Sequence, residues 1–520
     1  MNIHASSDLL RQQRLVHALC AQGPGETSME ETHISWVLLT GNDAYKIKKS
    51  LDLGFLDFST LEQRRMYCSE ELRLNRRTAP GLYLDMIAIG GNEEQPVLGK
   101  EPAIEYAVHM RRFARSSLMD RLLEHDHITA LHIDKLAATI AGFHAALPPA
   151  PADSPFCQTD AVQAIALQNF ALLQPLLNLP DDLATLEAVR SASALEFAAC
   201  APLFRQRADA GFIRECHGDL HLGNIVLLED TPVPFDGIEF NAALRWTDVI
   251  SDIGFTVMDL LQRGRPPLAW RLLNAYLEHS GDYRGVGVLR FYLSYRAMVR
   301  AKVAAIRAGQ EDLTQAEREL AACRSYLDLA HGCLTKRRPA LIITHGLPGS
   351  GKSTFAQIAL ERLGAIRLRS DVERKRLFGL DALARSRLRA DIYHDDATRN
   401  TYARLNELTR MLINAGFPVI VDAAFLRHAE RENFRALAKE MGIPFVIAHL
   451  RADETVLLQR LKQRFSAGSD ASEADASVLQ KLKAVAEPLQ EDEPAVTFVN
   501  DADALNMTDD AWQLLAAYLA

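Results

Sequence analysis

His217-Gly218-Asp219-Leu220-His221-Leu222-Gly223-Asn224, with Asp236 a short way beyond, sets a carboxylate, an amide and a second carboxylate in a fixed order. Asp219 can orient an attacking hydroxyl and take its proton, while Asn224 and Asp236 can hold Mg2+ against nucleotide phosphates, the order that a phosphoryl-transfer loop requires. Residues 225–228 and 233–236 read as two short strands around a turn at Glu229-Asp230-Thr231, and this hairpin returns Asp236 to Asn224. His-Gly-Asp is also an ordinary turn former; the hairpin joining the polar residues is what favours chemistry. His217 reads as a residue that pins the loop rather than as a base.

Upstream, helical spacing over 8–21 stops at Gly23-Pro24-Gly25. The period then changes to two, and 32–40 and 44–49 read as a hairpin around Gly41-Asn42-Asp43. Ala44 and Lys46 share one face of the second strand, so a base can pack over the alanine while the ammonium reaches the α- and β-phosphates. Lys48 shares that face and is the alternative; Lys49 points away. A solvated, lysine-rich edge strand is the competing reading. Residues 61–77 predict a helix in which one glutamate should pair with the strand lysine, Glu70 being the first candidate and Glu71 the second. Residues 82–89 and 103–113 read as a further hairpin, and 117–147 and 160–206 as helical.

The loop from His217 to Asn224 resembles that of aminoglycoside phosphotransferases and the related choline and fructosamine kinases, and the resemblance runs over 32–330. It implies a protein-kinase-like fold, with Asp219 as catalytic base, Asn224 and Asp236 as magnesium ligands and Lys46 as the ATP lysine. It also implies that Asp248 and Asp252 brace the loop. The chain departs from the pattern twice: no glycine-rich loop precedes Ala44, and Asp236 is followed by Gly-Ile-Glu-Phe-Asn where many members carry an aromatic. Residues 259–279 and 289–329 read as further amphipathic helix.

A linker at 331–339, with Gly332, Pro339 and a basic triplet, marks a domain boundary. Beyond it an apolar strand over 340–345 runs into Gly346-Leu347-Pro348-Gly349-Ser350-Gly351-Lys352-Ser353-Thr354 and then into a helix. Strand, glycine loop and helix N-terminus are the context in which backbone N–H groups cradle phosphates. Gly346, Gly349, Ser350, Gly351 and Thr354 belong to that cradle, Lys352 reaches the β/γ-phosphates, and Ser353 holds Mg2+. Strands over 365–369, 418–421, 444–450 and 496–499 then alternate with helices over 391–415, 428–441, 453–465, 476–486 and 509–519, which predicts a doubly wound parallel sheet. Asp422 ends one strand, where a magnesium or water-positioning carboxylate belongs; a capping role is the competing reading. Asp371, in Arg369-Ser370-Asp371, can orient an acceptor hydroxyl while Arg374 binds an anion, although an N-cap aspartate fits equally. Arg460 and Arg464 precede a polar segment, 466–473, that can close as a lid over the transferring phosphoryl group.

Gly346 to Thr354, Arg369-Ser370-Asp371 and Val421-Asp422-Ala423 resemble the small P-loop kinases of the zeta-toxin, gluconate-kinase and chloramphenicol-phosphotransferase group. The whole arrangement is similar to bacterial bifunctional proteins that join the two types. The expected fold is therefore an α+β bilobal protein-kinase-like domain over 1–335, followed by an α/β P-loop NTPase domain over 340–520. The resemblances imply a Mg·ATP-dependent phosphotransferase with two ATP sites, acting on hydroxyl groups of small molecules. The alternatives are an ATP-binding sensor that transfers no phosphate, or a nucleic-acid or nucleotide-sugar kinase in the second domain.

Bulk composition agrees with that expectation. The chain has 520 residues, 48% hydrophobic and 24% charged, as expected of a soluble protein with more than one core. A net charge of −9 argues against nucleic acid as the principal partner. No apolar run approaches a membrane span and the first residues lack a signal peptide's apolar segment, so a cytoplasmic location is expected. Seven scattered cysteines, with no C-x-x-C pair, argue against metal-thiolate or disulfide frameworks.

Overall fold

The structure is a computed structural model that describes residues 7–22, 27–54, 56–310, 313–335, 338–380, 394–467, 476–500 and 509–519. The chain divides into two compact units, Met1–Ile165 with Phe204–Asp259, and Ala166–Leu203 with Leu260–Ala520. Among the described residues no helix is long and apolar enough to cross a membrane.

The first unit has the α+β arrangement of protein kinases. Its six strands are β1 (Thr27–Glu31), β2 (Ser35–Thr40), β3 (Asp43–Lys48), β4 (Tyr83–Gly91), β5 (Pro96–Leu98) and β6 (Ala103–Arg111), in the antiparallel order β1-β2-β3-β6-β4-β5. Sequence reading missed β1, whose Thr-Ser-Met-Glu-Glu carries no apolar alternation because it is an edge strand paired only with β2. The Leu61–Asn75 helix starts at a capping box between Thr60 and Gln63. It buries Cys68 and Leu72 in a cluster with Ala44, Val108 and Met110 of the sheet.

The His217–Asn224 stretch follows β7 (Ile213–Glu215) and leads into the hairpin of β8 (Ile225–Leu228) and β9 (Thr231–Pro234), paired from Ile225↔Pro234 to Leu228↔Thr231. β10 (Trp246–Asp248) pairs with β7. The helix expected over 117–147 is two, Met119–Glu124 and Ala130–Ala146, because Asp126 takes a positive φ and Thr129 caps the second with His132.

The second unit holds a five-stranded parallel sheet of β11 (Leu341–His345), β12 (Ile366–Arg369), β13 (Val419–Asp422), β14 (Phe445–Arg451) and β15 (Ala495–Val499). Their order, β12-β13-β11-β14-β15, is that of a doubly wound α/β P-loop fold. All five residues of β11 are buried, as a central parallel strand requires. The helix expected over 259–279 is interrupted: Val249–Gln262 stops at Gly264, in the left-handed region, and Pro266 opens Pro266–Ser280. This last helix covers the β12 edge, where Asn274 donates to Ala365 O at 2.9 Å and accepts from Arg367 N at 2.7 Å. The helix expected from 391 is Asp395–Asn414, with 391–393 outside the described residues.

Candidate active sites

The first site is built around β3. Lys46 Nζ donates to Glu71 Oε1 at 2.8 Å and to Asp236 Oδ1 at 2.5 Å, so three distant segments meet at one ammonium. Glu70 does not occupy the expected position; it pairs with Arg73 and Arg245. The helix phase explains this correction, since Arg64, Cys68, Glu71, Leu72 and Asn75 form the buried face and Glu70 lies off it. Lys48, two residues on and fully buried, donates to Glu71 Oε2 at 2.6 Å and also to Glu239. Burial alone would raise the Glu71 carboxyl, but Lys46 and Lys48 outweigh it and hold the group at about 2. Burial likewise works against the Lys46 charge, and Asp236 and Glu71 reverse this to leave its pKa well above the usual value.

Asp236 adopts φ 61°, the left-handed conformation that an aspartate tolerates better than most residues. Two neighbours hold it there: its N–H donates to Tyr83 Oη at 3.1 Å, and Gly237 N donates to Asn75 Oδ1 at 2.7 Å. Asn224 Nδ2 donates to both the carbonyl and Oδ2 of Asp219 at 3.0 Å, which leaves the amide oxygen as the atom it can offer a cation. His221 Nε2 lies 3.5 Å from Asp219 Oδ2.

One helix braces this loop. From Val249–Gln262, Asp252 accepts from His217 N at 3.1 Å and Gly218 N at 2.8 Å, Asp259 accepts from Leu222 N at 2.9 Å, and Thr256 donates to Leu220 O at 2.6 Å. Asp248 is bound instead to Arg207 at 2.6 and 2.8 Å. His217 is a structural pin: Nε2 donates to Phe235 O at 2.8 Å, Nδ1 accepts from Asp219 N at 3.3 Å, and burial pushes its pKa down. His144, Cys216 and Asp252 come within ligand distance of one another, yet His144 is hydrogen-bonded to Asp252 at 3.1 Å and Cys216 to Thr247 O at 3.6 Å, as parts of the same brace.

The second site is a cavity of about 530 Å3 at the strand C-termini. Gly349, Gly351, Lys352, Ser353, Arg369, Asp371, Arg374 and Asp422 all line it, which unites the P-loop with residues singled out far downstream. Gly346 has φ 150°, and a Cβ there would meet Leu450 O at 2.5 Å. Only glycine permits that approach. Lys352 Nζ donates to the carbonyls of Gly346 and Leu347, each at 2.9 Å. Asn500 supports the loop from outside by donating to Ser350 O at 3.0 Å, and Arg460 binds Asn500 O at 3.0 Å. Arg460, which precedes the segment expected to close as a lid, is hydrogen-bonded to Gly349 O at 3.4 Å and to Asn500. Thr354 is exposed and does not line the cavity. The Arg464 side chain and the segment 468–475 lie outside the described residues.

Asp422 sits beside Arg369 in the β12–β13 register. Its Oδ2 is buried and accepts no hydrogen bond among the described residues, and Arg369 Nε stands 3.8 Å away. A buried carboxylate oxygen without a hydrogen-bond donor, in a cavity that Ser353 also lines, is of the oxygen-donor type suited to a hard cation. The far wall was not foreseen: Thr398 and Tyr402 come from one helix, Arg427 and Glu430 from the start of the next, and Lys481 from a third. Thr398 and Tyr402 are spaced i,i+4, the one sequence signal that places two polar groups on a common face.

Residues 341–489 match a family model described as an AAA domain. Over 467 residues the chain is 30% identical to "Uncharacterized protein Rv2004c" of Mycobacterium tuberculosis and to "Uncharacterized protein Mb2027c" of Mycobacterium bovis, covering 88% of this chain and 90% of each relative. The chain belongs to their family. The family therefore has both halves in one polypeptide, since the alignment spans nearly the full length of each partner. Among solved structures, a choline/ethanolamine kinase family protein from Mesorhizobium loti is 13% identical with TM-score 0.37, covering 63% of this chain and 99% of its own. The GDP complex of aminoglycoside 2'-phosphotransferase-IIIa is 14% identical with TM-score 0.38, covering 62% and 99%.

Proposed function

We propose that this chain is a Mg·ATP-dependent phosphotransferase with two nucleotide sites, divided functionally at 1–335 and 340–520, each acting on a hydroxyl group of a small molecule. The observation that carries the reading is the meeting of Lys46, Glu71 and Asp236 at one ion-paired centre, with Asp219 and Asn224 joined by side-chain hydrogen bonds on the preceding loop. Such a set matches the division of labour in phosphoryl transfer. Bound Mg·ATP supplies the transferable phosphoryl group and the positive charge that offsets its oxygens. Lys46, held by Glu71, orients phosphates; Asn224 and Asp236 offer oxygen ligands; Asp219 orients the acceptor hydroxyl and takes its proton. In the second site, Lys352 and the loop N–H groups hold phosphates, and Ser353 and Asp422 offer oxygens to the cation. Asp371 orients a hydroxyl and Arg374 binds an anionic group of the acceptor. A cytoplasmic location is part of this reading, and among the described residues no disulfide joins the seven cysteines.

The test uses the full-length chain with Asp219→Ala, Lys352→Ala and both together. ATP consumption is followed against a panel of amino sugars, sugars and nucleosides. Each single variant should lose a different subset of turnover. Undiminished turnover in the double variant would sink the proposal.

A further inference from the structure

Glu71 is shared. One of its oxygens receives Lys46 and the other Lys48, at 2.8 and 2.6 Å. Lys48 has no exposed side-chain surface, Glu71 has none, and Glu239 is 4% exposed, so the three charges lie in one dry cluster with the Phe58 ring 5.0 Å from the Lys48 ammonium. A strand lysine bound to one helix glutamate would suffice to orient phosphates. Here a second lysine on the same strand face, and a second carboxylate to match it, are buried beside that pair.

Glu239 lies three residues beyond Asp236, in the Gly-Ile-Glu-Phe-Asn segment where the chain departs from the pattern of the families it resembles. The backbone around it is tied down: Ile238 N donates to His217 O at 3.0 Å, and Arg245 donates to Glu239 O at 3.0 Å. Charge accounting follows from these contacts. Without Glu239, the buried Lys48 would have Glu71 as its one bonded carboxylate, and it would compete with Lys46 for it. Without Lys48, Glu239 and Glu71 would face each other as buried like charges.

We infer that Lys48 and Glu239 are positioning residues of the first site: Glu239 satisfies Lys48 so that Glu71 stays available to Lys46. The inference rests on the reading of that site as a nucleotide site. It makes a prediction opposite in sign to simple loss of contacts. Removing either charge alone should harm nucleotide binding, and removing both should restore it.

The experiment uses the full chain carrying Lys352→Ala, so that binding of a fluorescent ATP analogue with Mg2+ reports the first site. Glu239→Gln and Lys48→Met should each weaken binding by about tenfold or more, and the double variant should return to within about threefold of the parent. Denaturant unfolding is measured alongside. Single variants that unfold more easily yet bind within about twofold of the parent would assign the pair a structural role alone and overturn the inference. So would a double variant at least as weak as the worse single. If either single variant fails to fold, Glu239→Asp keeps the charge and shortens its reach; it should bind about three- to tenfold more weakly, and unchanged binding would overturn the inference. Absence of binding in the parent would instead remove the nucleotide reading of the first site itself, a separate and recognisable outcome.

Discussion

Glu71 Oε1 receives Lys46 Nζ at 2.8 Å, whereas the neighbouring Glu70 faces away and binds Arg73 and Arg245. The two glutamates therefore have separable roles. Glu71→Gln should weaken nucleotide binding at the first site by about tenfold or more, equivalent to about 1.4 kcal/mol. Glu70→Gln should leave it within about twofold, because Glu70 touches arginines rather than Lys46. Nucleotide titration of both variants in the Lys352→Ala background reads the difference.

Acid should dissolve the same cluster. Glu71 titrates at about 2 in the folded chain against 4.5 ordinarily, so it binds fewer protons folded than unfolded. Its stabilisation is fully present above the unfolded value and is lost as pH falls through 4.5 towards 2. Unfolding of the parent and Glu71→Gln, compared from pH 7 downwards, should give curves that converge at acid pH. A constant difference across the range would contradict the assignment.

Asp252 holds the candidate catalytic loop through two backbone N–H groups, those of His217 and Gly218. Asp252→Ala leaves both buried donors unmatched and should cost about 3 kcal/mol or more, read as a lower melting transition. Asp252→Asn keeps one acceptor oxygen and should cost less.

In the second site, Asp422 Oδ2 is buried without a hydrogen bond among the described residues, with Arg369 Nε 3.8 Å away, and the proposed role of this oxygen as a Mg2+ ligand can be tested. Asp422→Asn should reduce Mg2+-dependent nucleotide affinity by about tenfold or more while leaving metal-free binding near the parent value. The measurement is nucleotide titration with and without Mg2+ in the Lys46→Ala background, which removes the phosphate-orienting ammonium of the first site. Equal loss under both conditions would assign Asp422 to the loop's structure instead.

Gly346 tests the loop itself. Gly346→Ala places a methyl 2.5 Å from Leu450 O and forces a non-glycine residue to φ 150°. A loss of about 2 kcal/mol or more, with loss of second-site nucleotide binding, is expected in melting and titration experiments.

Much of the two candidate sites was legible because their residues are close in the chain. His217 to Asn224 and Gly346 to Ser353 are continuous stretches whose backbone geometry is local. The strand face of β3 likewise followed from alternation, which put Lys46 and Lys48 on the same side as Ala44. Errors arose where a local period was ambiguous. Glu70 and Glu71 are adjacent, and only the packed face containing Cys68, Leu72 and Asn75 selects between them. Long helical readings such as 117–147 failed for a related reason: the Asp126 turn and the Thr129 cap weigh little against an uninterrupted apolar pattern.

The sequence by itself determined the two candidate phosphate-handling loops, their order in the chain and the alternation of the second sheet, all of which depend on neighbours a few residues apart. Tertiary structure decided which groups complete them. Lys46 meets Glu71 across 25 residues, and Lys48 meets Glu239 across 191. Partners at such separations are selected by which faces pack together in a dry interior, where a buried ammonium needs a carboxylate and the fold decides which carboxylate arrives.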